Sequence, residues 1–382
     1  MNRFLILVVL FLSFFSNLYA NPNVQARTGI LLDFHSNEVL YELDPDSQIY
    51  PASMTKIMTS IIAFDLLEKN KLSLDDKFTI SENAWRLSQA GYSSMFIMIN
   101  DQVSVENLLT GIIIASGNDA CVALAEGIAG SESNFADMMN EKAIEIGMTS
   151  TNFTNSSGIN DPDNVSTVRD IALMSKYLIE NYPIYYELFA EKTFTWDRTG
   201  GEPIKQGNRN PLLYKNVGVD GVKTGYLAVE KYSLASTMKK KDRRVIAVAS
   251  GFNTKKLRSS ESLKLLNWGF RNTNTFEISK KNETIFELDT WLGTTNKISA
   301  ITKENFYLTI NKKEISHLSI SLEYTGPIQA PIKKGEQIAT IIVLKKDKKI
   351  KTLPLYAAND LKKVNFFKSL LTSLNYLIWG DV

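Results

Sequence analysis

Pro51-Ala52-Ser53-Met54-Thr55-Lys56 opens a segment that stays apolar for four turns, through Ile57, Met58, Ile61, Ile62, Ala63, Phe64, Leu66 and Leu67. Apolar residues on nearly every side predict a buried helix rather than one lying on a surface. Ser53 and Lys56 stand three positions apart at its first turn and so share a face. A hydroxyl and an amine placed together there do little for stability. Read as chemistry, they are a nucleophile, Ser53, and the group that activates it, Lys56.

The 382-residue chain is longer than one core usually serves. Its 44% hydrophobic and 22% charged residues make it globular rather than disordered. A net charge of +2 gives no case for nucleic acid. Cys121 is the single cysteine, so neither an internal disulfide nor a thiolate metal cluster is possible. A Ser-His-Asp hydrolase or a His-ligated zinc site would have to use one of only two histidines, His35 and His317. No metal and no cofactor is implied. At the N-terminus, Arg3, the apolar run Phe4 to Phe15 and the polar exit Ser16 to Ala20 predict a secretory signal over residues 1–20.

Outward from Ser53, Thr28 to Asp33 and Glu38 to Leu43 predict a hairpin with His35 in its solvated turn. Ser104 caps an expected helix from Val105 to Ala115, which stops at Ser116-Gly117-Asn118 before a second apolar helix near Asp119. Asn134 to Ile146 and Arg169 to Leu178 also read as helices, on either side of a Ser/Asn/Asp-rich loop. Val217 to Val222 reads as a strand ending in Lys223-Thr224-Gly225. Tyr232 to Met238 and Arg243 to Gly251 continue an antiparallel meander, and Lys256 to Phe270 closes with a helix. The expected fold class is α+β: one antiparallel sheet covered by helices over residues 21–275.

From 276 to 356 the patterns are those of strands, such as the alternation of Phe306, Leu308 and Ile310, and a second, all-β domain is expected. His317 reads as a surface strand residue. Over Leu361 to Trp379, at about 100° per residue, Val364, Phe366, Phe367, Leu370, Leu371, Leu374, Leu377 and Ile378 fall on one arc. Residues 357–382 are therefore expected to end in an amphipathic helix lying on a membrane surface.

Ser-x-x-Lys alone is weak evidence: Ser236-Thr237-Met238-Lys239 matches it too, on a strand that points the two side chains apart. The weight comes from three motifs in order on suitable elements: Ser53-x-x-Lys56, Ser116-Gly117-Asn118 and Lys223-Thr224-Gly225. With Gly147-Met148-Thr149, Ser166-Thr167-Val168-Arg169-Asp170 and Val219-Asp220-Gly221-Val222, the chain resembles the low-molecular-mass penicillin-binding proteins of the D-alanyl-D-alanine carboxypeptidase family (serine-type, peptidase S11-like). The likeness implies a penicillin-binding, β-lactamase-like transpeptidase domain, a β-rich second domain and a C-terminal amphipathic anchor. It also implies an exported protein, periplasmic and peripheral on the outer face of the inner membrane. Its partners would be peptidoglycan stem peptides and β-lactam inhibitors.

With no histidine for the task, a desolvated Lys56 near the like charge of Lys223 would lose its proton readily and take one from Ser53. Ser116 and Lys223 relay a proton to the leaving amine, and Asn118 binds the substrate amide and holds Lys56. The resemblance implies an oxyanion hole from the backbone N–H groups of Ser53 and Tyr226. It assigns Lys223, Thr224, Gly225, Tyr226 and, on the next strand, Arg244 to the substrate, with Arg244 among the partners of its terminal carboxylate. One departure stands out. Where the family continues x-Thr-x-x-Ala-Gly after Lys-Thr-Gly, this chain has Tyr226-Leu227-Ala228-Val229-Glu230-Lys231. Leu227 replaces a hydroxyl, and Glu230-Lys231 replaces two small residues. The expected activity is removal of the terminal D-alanine from stem pentapeptides through an acyl-Ser53 intermediate. The alternatives are a serine β-lactamase, which would turn penicillin over rapidly, and a catalytically impaired cell-wall-binding protein.

Overall fold

Thr28–Asp33 is buried along its whole length, as a strand covered on both faces must be. This computed structural model describes residues 22–159, 161–198 and 201–380. The expected export signal, residues 1–20, lies outside the described residues. Thr28–Asp33 pairs on one side with Val39–Leu43, completing the expected hairpin, and on the other with Arg243–Phe252. Lys231–Lys240 and then Val219–Leu227 extend the sheet to five antiparallel strands. These last three strands form the expected meander, and Val219–Leu227 is an edge.

Lys255–Asn272 covers one face of the sheet, packing Leu265 and Leu266 with Leu31, Leu234 and Val245. The other face carries the helical layer, organised around Lys56–Glu68. That helix is buried on all sides from Lys56 to Phe64. Asn118–Ala129, Glu132–Ile146 and Val168–Asn181 pack around it. Each fully buried Ile, Met or Phe side chain contributes about 1.5–3 kcal/mol. Ile57, Met58, Ile61 and Phe64 are four such side chains beneath Ser53. The platform under Ser53 is closely packed for that reason.

Two local expectations are revised. Lys223-Thr224-Gly225 lies within the strand Val219–Leu227, not at its end, because Tyr226 and Leu227 still pair with Tyr232 and Lys231. The helix capped by Ser104 is α-helical only over Val105–Thr110; Gly111–Ala115 widens into a π turn.

Thr273–Ser279 leaves the end of the long helix and pairs with Phe306–Asn311. Beyond it a six-stranded sheet surrounds a separate core that includes Leu288, Ile298, Ile341 and Leu355. His317 closes a 3-10 turn, Lys312–His317, just before a strand rather than within one. His35 sits in the expected turn, half-buried rather than fully solvated. Its Nε2 lies 2.8 Å from Asp242 O, and its ring packs 5.0 Å from that of Tyr307 in the β region.

The final helix is Phe366–Trp379, capped by the Asn365 side chain, which accepts from Lys368 N–H. It starts later than the periodicity suggests. Leu361 is buried and exchanges backbone hydrogen bonds with Ile332, and Val364 N–H donates to Leu292 O, so 361–364 belong to the β region's edge. Phe367, Leu371, Leu377 and Ile378 are exposed, whereas Ser369, Thr372 and Ser373 are half-buried. The apolar arc faces away from the protein. Among the described residues no helix is long and apolar enough to cross a membrane.

Candidate active site

Ser53 lies in a 3-10 turn, Ala52–Thr55, that leads directly into the buried helix at Lys56. The turn begins with Ala52 at φ +51°, a conformation an L-residue adopts only when its surroundings hold it. Two glycines make the hold possible. At Gly158 a side chain would fall 1.8 Å from the Ala52 carbonyl oxygen, so only glycine lets that loop close over the turn. At Gly225 a Cβ would sit 3.0 Å from Pro51 O, so the Lys-Thr-Gly strand lies flat against the other side.

Lys56 is buried, and its Nζ stands 3.3 Å from Ser53 Oγ. The same nitrogen donates to Asn118 Oδ1 and to the Ser157 carbonyl, each at 2.6 Å. A neutral amine has two N–H bonds and one lone pair. Once deprotonated, the amine would keep Asn118 and Ser157 for its two N–H bonds and turn its lone pair to the Ser53 hydroxyl. Burial pushes the Lys56 pKa below the ordinary lysine value, against the opposing pull of Cys121, Asp119 and Glu132.

Ser116 sits at the end of the π turn in the left-handed region, φ +63°, and its Oγ accepts from Lys223 Nζ at 2.9 Å. Lys223 is buried as well. Burial and then the like charge of Lys56 hold its pKa well below the usual lysine range. Asn118 begins the next helix, and Asp119 behind it is fully buried. Its carboxylate accepts from Ser94 Oγ and from the backbone N–H groups of Met95, Phe96 and Ile97, pinning the Gly91–Ser94 loop at the cleft's rim.

Ser53, Ser116, Asn118, Thr224, Gly225 and Tyr226 all line one cleft of ≈ 710 Å³. Lys56 and Lys223 lie beneath its floor. A separate groove of ≈ 580 Å³, between the hairpin and Leu308–Asn311, contains none of the three motifs.

Arg244 is not in this cleft. Val248 is the residue in register with Lys223, through Ala235, and Arg244 is four residues further along. At about 3.3 Å per residue that is roughly 13 Å away. Its guanidinium is committed to Asp220 by two hydrogen bonds of 2.7 and 2.6 Å, and to Thr237. Arg244 borders another hollow with His35, Glu187 and Lys239. Arg244 lies on Arg243–Phe252, the second strand after Lys-Thr-Gly and not the next one, and antiparallel register carries it to the wrong end.

Two other arginines, Arg209 and Arg258, do line the cleft, and sequence reasoning missed both. Arg258 is buried, stacks 5.7 Å over the Tyr232 ring, and its Nε has no hydrogen-bond partner. It sits in the first turn of the Lys255–Asn272 helix, where nothing in the sequence marks it off from its basic neighbours. The Ser157 carbonyl was equally hidden, since any residue has one.

A family model for D-alanyl-D-alanine carboxypeptidases matches residues 16–254, and one for the C-terminal domain of penicillin-binding protein 5 matches 274–363. The chain belongs to the D-alanyl-D-alanine carboxypeptidase family. It is 38% identical to the D-alanyl-D-alanine carboxypeptidase DacA of Haemophilus influenzae over 91% of this chain and 88% of that protein. It is 39% identical to DacC of Escherichia coli K12 over 91% and 86%. The crystal structure of penicillin-binding protein 5 from Haemophilus influenzae superposes with a TM-score of 0.82 at 37% identity, covering 90% of this chain and 99% of that one. Penicillin-binding protein D2 from Listeria monocytogenes, in its ampicillin-bound form, matches 65% of this chain and 99% of its own at TM-score 0.59 and 28% identity. The protein is a serine hydrolase of the carboxypeptidase family with the expected α+β and β-rich architecture, and these relatives do not favour the β-lactamase or binding-only alternatives.

Proposed function

We propose that this carboxypeptidase cleaves its substrate through Ser53, with Lys56 as general base. The observation that carries the assignment is the buried Lys56 amine, 3.3 Å from Ser53 Oγ and held there by Asn118 Oδ1 and the Ser157 carbonyl. Ser53 Oγ attacks the carbonyl of the penultimate D-alanine as its proton passes to Lys56. The backbone N–H groups of Ser53 and Tyr226 hold the oxyanion. The C–N bond to the terminal D-alanine breaks, and its nitrogen takes the proton by way of Ser116 and Lys223. Water then attacks the ester, releasing the shortened peptide and restoring the Ser53 hydroxyl. Asn118 orients both Lys56 and the substrate amide, and Thr224 and Gly225 align the peptide along the strand edge. The substrate's terminal carboxylate is assigned to Arg258 and Arg209, with Lys223 and Thr224, in place of Arg244. A β-lactam would acylate the same serine, as the ampicillin-bound relative suggests.

Intact-protein mass spectrometry after penicillin treatment tests this, together with D-alanine release from a pentapeptide. A single adduct on Ser53 is expected, and Ser53→Ala should lose the adduct and roughly 10⁴-fold or more of the release rate. A Ser53→Ala protein releasing D-alanine at the wild-type rate would overturn the assignment.

The same proposal divides the chain into an export signal (1–20), a peptidase domain (21–275), a β domain (276–356) and an anchoring segment (357–382), peripheral on the periplasmic face of the inner membrane. The outward apolar arc of Phe366–Trp379 supports that anchor. Deleting 366–382 should move the protein from the membrane pellet to the soluble fraction; continued sedimentation would refute the anchor.

A further inference from the structure

Glu230 occupies the turn, 228–230, that joins the Lys-Thr-Gly strand to Lys231–Lys240. A turn residue is ordinarily solvated, yet Glu230 is only 5% exposed. A buried carboxylate is costly unless its oxygens are fully used. Here they are. Arg27 Nη2 donates to both oxygens at 2.6 and 2.9 Å, Ser250 Oγ donates at 2.7 Å, and Tyr50 N–H donates at 3.2 Å. Arg27 Nη2 also reaches the Gln48 carbonyl at 3.1 Å.

These partners select one piece of chain. Gln48 and Tyr50 belong to the peptide that delivers Pro51, the left-handed Ala52 and then Ser53. Downstream, the Ser53 turn is held by Lys56 and Gly158; upstream, Ile49 exchanges backbone hydrogen bonds with Ser166, and Glu230 with Arg27 takes the flanking Tyr50 N–H and Gln48 carbonyl. The hairpin that carries Glu230 also carries the Tyr226 amide, so one rigid turn grips both sides of the acylation geometry.

We propose that Glu230 is a positioning residue for acylation, fixing Ser53 Oγ relative to the Tyr226 N–H by tethering the Gln48–Tyr50 peptide to the 226–230 hairpin. This rests on the roles proposed above for Ser53 and Tyr226. Arg27 completes the tether and is 46% exposed, so it can be changed with less disturbance.

The test uses saturation kinetics with a fluorescent penicillin, which separate the acylation rate constant from the pre-acylation dissociation constant. It compares wild type, E230Q, E230A and R27M at a temperature well below each protein's melting point. E230A should lose about 10- to 100-fold in the acylation rate constant. The dissociation constant should change by less than about twofold, since substrate is not touched. E230Q keeps an acceptor for Tyr50 N–H and should recover most of the loss, and R27M should fall between. A folded E230A with the wild-type rate constant would overturn the proposal. If E230A does not fold, R27M decides, and a lowered melting temperature with an unchanged rate constant would show a purely structural clasp. A wild-type protein that penicillin does not acylate would instead refute the reading of Ser53 on which the tether depends.

Discussion

Lys223 and Arg244 are two buried basic residues in one sheet, and their surroundings treat them oppositely. Arg244 is met by both oxygens of Asp220. Burial alone would lower its pKa, but the Asp220 carboxylate outweighs that and raises it. Lys223 has a hydroxyl, Ser116 Oγ, and no carboxylate within ion-pair distance among the described residues. Burial and the neighbouring Lys56 both work against its charge. A buried ion neutralised by its own protein is scaffold. One left without a counter-ion is held ready for a proton or a substrate.

Replacing Lys223 tests that contrast with the largest expected effect. Lys223→Met should lower the penicillin acylation rate by roughly 10²- to 10³-fold, the range for losing one proton-transfer or electrostatic partner. The same change should raise thermal stability. The unfolded chain keeps its lysine protons up to about pH 10.4. The folded chain gives up that of Lys223 well below this, so over the interval the unfolded state binds more protons and wild-type stability climbs with pH. The advantage of Lys223→Met is therefore greatest on the acid side and shrinks as pH approaches the ordinary lysine value. Calorimetry at several pH values would show it, and a melting temperature below wild type at every pH would erase the distinction from Arg244.

Arg244→Met should do the reverse. Removing the guanidinium leaves Asp220 without its counter-ion, at a cost of about 3 kcal/mol, the low end for a broken buried pair because Asp220 keeps the Tyr186 and Thr237 hydroxyls and some contact with water. Acylation measured below the transition should match wild type. A variant as stable as wild type but slow to acylate would return Arg244 to the catalytic machinery.

The contrast also marks where the sequence stopped being informative. Ser53, Lys56, Ser116, Asn118 and Lys223 were legible because each lies in a short motif at a helix start, a helix break or a strand, and local rules place all three. The hairpin, the meander and the helical layer were legible from periodicity. Arg244 was misplaced because register accumulates over whole strands, and a shift along the strand cannot be read from the turn that precedes it. Arg258 was missed because its place in the cleft depends on which way the first turn of one helix faces. The start of the final helix slipped for a related reason: Leu361 and Val364 fit the helical arc, but backbone hydrogen bonds to Ile332 and Leu292 hold them in the β region. Glu230 was visible as an oddity, while its partners, Arg27 and Tyr50, are far away in sequence.

Arg258 supplies the finest test, because it falls between the two extremes. It is buried like Arg244 and lacks a partner at Nε like a residue awaiting one, but it stacks on Tyr232 and remains a guanidinium. Burial lowers its pKa from the usual arginine value, against the opposing pull of Tyr232. If its missing partner is the substrate's terminal carboxylate, the loss should depend on that carboxylate. Arg258→Gln should raise KM for a free-acid peptide about 10- to 100-fold, the worth of one charge-assisted hydrogen bond of about 1.5–3 kcal/mol. Wild type should discriminate strongly against the same peptide with a C-terminal carboxamide, and the variant should discriminate weakly. The comparison is a double-mutant cycle across protein and substrate, so a general loss of folding or of acylation cancels from it. Equal discrimination in the two proteins would mean that Arg258 is scaffold after all, and would pass the carboxylate to Arg209, the remaining arginine of the cleft.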